Sequence, residues 1–302
     1  MEDARRVKNS IFLYLALTFA ISSIFYYRII AAKSLSAGNG FFVLGLMWSP
    51  GVAGLLTRLI FQGNLRGHGW GWGKTKYQFA SYWIPLAYAS VVYVPIWLAG
   101  YADFSAPSLT KFMERIGKAG VPPQYSVALF FVVLATIGVL SSCVSALGEE
   151  LGWRGFLVPQ LAKVTSFPRV SLISGAIWAF WHTPVLLFAN YHGRNPMWYS
   201  LSCFVVMVLG ISFVFAWIRL KSGSVWTGML LHASHNLFIQ AFFDPLTRQT
   251  RFTDYYIGEF GLGLALAAIV IAVIFYRKRG ELPEAHSQTP SAGEAAPSVT
   301  PA

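Results

Sequence analysis

Charge is scarce in this chain: 12% of its 302 residues are Asp, Glu, Lys or Arg, only 12 of them acidic, against 55% hydrophobic. A soluble globular domain cannot be built on that balance, and a mean hydropathy of +0.53 points to a polytopic membrane protein. Cysteine is nearly absent as well. Cys143 and Cys203 both fall inside apolar runs, which supports neither a disulfide framework nor a thiolate metal site. No stretch outside the apolar runs is long enough to bury a core of its own, and no internal repeat is visible, which weighs against an inverted-repeat transporter.

What is present is a series of apolar segments of the length that crosses a bilayer, about 20 residues each. They lie near 11–31, 41–61, 79–99, 125–147, 170–190, 198–218, 225–243 and 257–277. The expected fold is therefore all-α, with about eight transmembrane helices around a cavity open toward the cytoplasmic half. The first run, "IFLYLALTFAISSIFYY", is too long for a signal-peptide core and reads as a retained span. Residues 1–10 are expected as a cytoplasmic N-terminus, 11–279 as one membrane domain, and 280–302, rich in Pro, Ser and Ala, as a disordered tail.

The net charge of +11 is explained by topology rather than by nucleic acid. With the N-terminus inside, most of the 23 Lys and Arg fall on the cytoplasmic side, among them Arg5, Arg6, Lys8, Lys74, Lys76, Arg277, Lys278 and Arg279. Both termini are expected in the cytoplasm and the chain in a bacterial cell membrane. Two connections carry their own pattern. "GNLRGHGWGWGKTKYQF" mixes Trp and Tyr with Arg and Lys, as an interfacial anchor or a substrate-docking loop does; "SLTKFMERIGKAGVPPQY" predicts a short amphipathic helix before Pro122.

Between Glu114 and Asp244 the only acidic residues are Glu149 and Glu150, directly after an apolar run. Ionisable groups at membrane depth are costly and mark function. Glu150 and Arg154 are four apart and share a helix face, whereas Glu149 points about 100° away from Glu150. One glutamate is thus tied to Arg154 and the other left free. His232 and Asn236 share a face by the same spacing, and His182 stands within "WAFWHTP", one turn after Trp178. His232 lies roughly 10 Å and His182 roughly 18 Å from the cytoplasmic start of their spans, at 1.5 Å per residue. With Glu149 near the cytoplasmic end of the fourth span, the three can meet around water.

A carboxylate, two imidazoles and an amide are the parts of general-base hydrolysis. Glu149 would take a proton from attacking water, His232 and Asn236 would donate to the oxyanion, and His182 would hold the water or serve the leaving amine. Alternatively, one glutamate and two histidines could bind zinc with an open fourth position. No His-Glu-x-x-His is present, so that metalloprotease motif is missing. A proton-coupled transporter would also place Glu and His at depth.

"EELGWR" at 149–154, "WAFWH" at 178–182 and "HASHN" at 232–236 resemble, in this order, the three motifs of the CPBP intramembrane proteases, which comprise type II CAAX prenyl endopeptidases and bacteriocin-processing or immunity proteins. The resemblance covers about residues 125–245. It implies an eight-helix, metal-independent glutamate endopeptidase, with Glu149 as base, His182 and the His232/Asn236 pair completing the site, and Glu150, Arg154 and Trp178 in support. It implies a membrane-associated peptide or protein substrate, prenylated or not, with no cofactor and no nucleic acid. Trp178 departs from the pattern, which usually has Phe there; a reshaped pocket wall is the expected consequence. A non-catalytic immunity protein of the same fold is the alternative.

Overall fold

The computed structural model describes residues 3–189 and 191–283; the tail expectation from residue 284 onward lies outside them. Among the described residues the chain is helical throughout, with no strand beyond one isolated bridge between Ala102 and Thr247. The helices are α1 (Ala4–Ala32), α2 (Phe41–Gln62), α3 (Thr75–Ile96), α4 (Pro107–Arg115), α5 (Pro123–Val133), α6 (Val139–Gly152), α7 (Val158–Ala162), α8 (Phe167–Phe188), α9 (Met197–Ser222), α10 (Val225–His235), α11 (Asp244–Leu246), α12 (Arg251–Asp254) and α13 (Leu262–Arg277).

Six helical segments in the described residues are long and apolar enough to cross a membrane: Ala4–Ala32, Ala37–Gln62, Thr75–Tyr101, Pro123–Ala162, Phe167–Phe188 and Met197–Ser222. The remaining two expected segments are also helical. One is α10 running on through Asn236–Phe243 into α11, and the other is α13, which has 16 residues. The first helix starts before the apolar run does. Residues 4–10 are already part of α1, because the Asp3 side chain accepts from the Arg5 N–H and starts the helix there.

The fourth span does not stop at residue 147. Helix continues from Pro123 to Ala162, interrupted only by wide π turns at Leu134–Gly138 and Trp153–Leu157. The apolar run ends sooner than the helix because the extension is buried by protein rather than by lipid: Leu151, Trp153, Phe156, Leu157 and Val158 are all at most 4% exposed. Close helix contact makes this burial possible. A Cβ on Gly152 would sit 2.4 Å from the backbone of Pro50 in α2, and one on Gly51 would sit 2.4 Å from the Gly148 carbonyl, so only glycine lets α2 and α6 approach this far.

The amphipathic segment forms α4, which buries Leu109 and Met113 one turn apart. The aromatic and basic loop at 63–74 is partly folded inward. Trp70 and Trp72 are 40% and 53% exposed, but His68 is fully buried, its Nε2 donating to the Leu151 carbonyl at 2.9 Å while Arg219 donates to the His68 carbonyl. Burial, with Arg58 and Arg219 adding to it, holds the His68 imidazole down at about 4, against the opposing pull of its bond to Leu151. An unfolded chain binds this proton more readily than the folded one. Stability is therefore full above about pH 6.5 and falls as the pH drops toward 4, by about 2 kcal/mol at pH 5. Thermal unfolding in detergent between pH 7.5 and 5 is expected to show this loss, and His68→Gln to flatten it.

Candidate active site

Glu149 and Glu150 leave the end of α6 on different sides, as their spacing requires, and both are buried, at 1% and 0% exposure. Glu150 Oε1 accepts from the Arg154 guanidinium at 2.7 Å, the pair expected from the i, i+4 spacing. The same oxygen is 3.0 Å from His232 Nδ1. Sequence spacing pairs Glu150 with Arg154; that Glu150 also bonds His232 is not legible there, and it follows from α10 crossing α6 on the Glu150 side. Gly228, one turn before His232, makes that crossing. A Cβ there would lie 2.6 Å from Glu150 Oε2.

Glu149 is held by indoles. Its Oε2 accepts from Trp178 Nε1 at 2.8 Å and from Trp153 Nε1 at 3.1 Å, which leaves Oε1 for a ligand in the cavity that Glu149 lines. Trp178 therefore does more than shape a wall. Its ring lies edge to face with His182 and His232, with centroids 5.9 and 5.4 Å away, and the Arg154 guanidinium sits 4.4 Å above it. Phe215, edge to face with Trp178, presents its own ring to that guanidinium at 3.9 Å. Trp153 was missed in the sequence; its signal is the same i, i+4 spacing to Glu149 that Arg154 has to Glu150.

The two imidazoles are oriented differently. His182 Nδ1 is 2.9 Å from the Trp178 carbonyl, which can only accept, so the ring carries its proton on Nδ1 and presents a lone pair at Nε2. His232 Nδ1 likewise donates to Glu150. For Nε2 of His232 to donate as well, the ring must be an imidazolium, with Glu150 as its counter-charge.

Glu149, Trp178, His182, His232 and Asn236 all line one cavity of about 670 Å³. Asn236 begins the π turn Asn236–Phe243, whose wider winding also brings Gln240 and Ala241 to the cavity. The expected candidates are thus brought together, Glu150 and Arg154 standing directly behind them. Also lining the cavity are His235, Tyr191 and Glu259, a group the sequence reading did not assemble.

A zinc ion fits this set poorly. The free atoms of Glu149, His182 and His232 match the donor count of an open zinc site, but no three His, Cys, Asp or Glu side chains among the described residues lie close enough to share a metal.

Gly228→Ala is expected to push the Glu150 carboxylate off the position that serves both Arg154 and His232. The overpacking should cost about 1–3 kcal/mol and lower any turnover at least tenfold, read as melting temperature and rate on the same preparation.

Comparison with known proteins covers the segment in which these residues lie. Residues 128–238, which include all three motifs, match the family model of type II CAAX prenyl endopeptidase Rce1-like proteins. A protein of Methanococcus maripaludis named CAAX prenyl protease 2 is 29% identical over 136 residues, 43% of this chain and 46% of that protein. The Bacillus subtilis protein YyaK, described as uncharacterized, is 28% identical over 127 residues, 40% of this chain and 39% of that one. The chain thus spans less than half the length of these curated relatives.

Proposed function

We propose that this protein, whose site segment is similar to the type II CAAX prenyl endopeptidases, is an intramembrane endopeptidase that hydrolyses peptide bonds of membrane-associated substrates. The observation that carries the reading is the pair of differently held glutamates: Glu150 locked between Arg154 and His232, and Glu149 fixed by two indole donors with one oxygen toward the cavity. Similarity to the CAAX prenyl protease 2 of Methanococcus maripaludis supports the reaction class, and the different partners of the two glutamates support the division of labour.

In this mechanism Glu149 Oε1 removes a proton from a water molecule as it attacks the scissile carbonyl, and the two indole N–H groups keep the carboxylate aimed without protonating it. His182 Nε2 accepts a hydrogen bond from the same water. The tetrahedral oxyanion is met by the His232 imidazolium at Nε2 and by the Asn236 amide, donors placed before the charge develops. Glu150 keeps the His232 ring oriented and compensates its charge, and Arg154 balances Glu150. The proton taken by Glu149 then goes to the leaving amine. No step uses a metal. If chelation abolished turnover and zinc restored it, with zinc bound to the purified protein, that feature of the mechanism would fall.

The site is proposed to face the cytoplasmic half of the membrane, with both termini on that side. The test of function is mass-spectrometric analysis of the reconstituted protein with palmitoylated, prenylated and unlipidated membrane peptides. Discrete fragments with a new carboxyl terminus are expected. Flux of protons or solute through sealed vesicles without any cleavage would favour a transporter instead.

A further inference from the structure

The cavity has a second polar end. Glu259, in the segment between α12 and α13, is 8% exposed and lines the cavity along with Glu149. Its Oε1 accepts from His235 Nε2 at 2.9 Å and its Oε2 from the Tyr191 hydroxyl at 2.7 Å. The Tyr88 hydroxyl meets the other nitrogen of His235. With the ring's proton on Nε2, Nδ1 accepts from that hydroxyl, so the network is complete with a neutral ring.

Every donor to Glu259 can therefore be uncharged. Contrast Glu150, whose buried charge is matched by Arg154. Among the described residues no Lys or Arg lines the cavity. With His235 as a neutral ring, a carboxylate in a largely apolar chamber that no Lys or Arg lines attracts a cation brought in by the ligand.

We propose that the Glu259–His235 end of the cavity is a substrate subsite for a cationic group, the ammonium of a lysine or the guanidinium of an arginine in the peptide. The proposal rests on the reading of this cavity as the peptide-binding chamber. A purely structural role, tying α3, α10 and the segments around residues 191 and 259 together, would use the same hydrogen bonds but would give no charge preference.

The experiment uses the full chain carrying Glu149→Gln, in nanodiscs at pH 8, which removes turnover and also the other carboxylate of the chamber. Fluorescent palmitoylated peptides are compared in pairs that differ by Lys against norleucine at each position in turn, with binding read by anisotropy. At one position the Lys peptide should bind at least tenfold more tightly. Adding Glu259→Gln should erase that difference and leave the norleucine affinity in place, whereas Glu259→Asp should retain part of it. If no position shows a preference, or if the preference survives Glu259→Gln, the subsite is refuted. The first of these outcomes needs no variant of Glu259 and so holds even if Glu259→Gln fails to fold. Cleavage by the parent without a Lys preference would overturn the subsite alone, and a Lys preference without cleavage by the parent would overturn the protease reading alone.

Discussion

Glu149→Gln is expected to lower peptide hydrolysis by about a thousandfold or more while leaving the fold intact. A positioned general base contributes about 10²–10⁴-fold, and here the same side chain also holds the water in place. The substitution is nearly isosteric. A glutamine oxygen can still accept from Trp153 and Trp178, which bond Glu149 Oε2 at 3.1 and 2.8 Å, so the site loses a base without losing its packing. Melting temperature within a few degrees of the parent, with no turnover of a peptide that the parent cleaves, is the expected pair of results. Retained turnover would remove Glu149 from the mechanism.

The second large effect is at Glu150, and it differs in kind. Glu150→Gln removes the charge that compensates Arg154, a side chain 2% exposed and enclosed by Trp178 and Phe215. Breaking a buried pair on one side costs about 3–5 kcal/mol, because the other charge stays buried. It also takes from His232 the carboxylate that its Nδ1 meets at 3.0 Å, the counter-charge of the proposed imidazolium. Both stability and activity should fall. Adding Arg154→Met separates the two effects. The double variant no longer buries an unpaired guanidinium and should recover much of the lost stability, but His232 still lacks its carboxylate, so activity should stay low. Recovery of both would make the Glu150–Arg154 pair merely structural.

Much of this site is legible in the sequence because it is written in local spacing. Glu150 with Arg154 is an i, i+4 pair on one helix, and the structure places it at 2.7 Å. The membrane segments follow from apolar runs, and the amphipathic α4 from its own periodicity. Contacts between helices are another matter. That His232 bonds through Nδ1 to Glu150 depends on how closely α10 approaches α6, which is set by Gly228, and a glycine inside an apolar run carries no such message. Trp178 was visible as an aromatic, but its N–H to Glu149 requires α8 to present its indole edge to α6. Glu259 was absorbed into the start of the last apolar run, although α13 begins only at Leu262, which leaves it in a connection that reaches back to His235.

The central claim is that Glu149 acts on water and does not itself attack the substrate. Single-turnover cleavage in H₂¹⁸O, with both product and enzyme analysed by mass spectrometry, tests this most directly. Attack by water places one ¹⁸O in the new carboxylate of the product in the first turnover and none in the enzyme peptide that contains Glu149. Label in that enzyme peptide would mean that Glu149 formed an acyl bond and that water broke it at the glutamate, which would contradict the account.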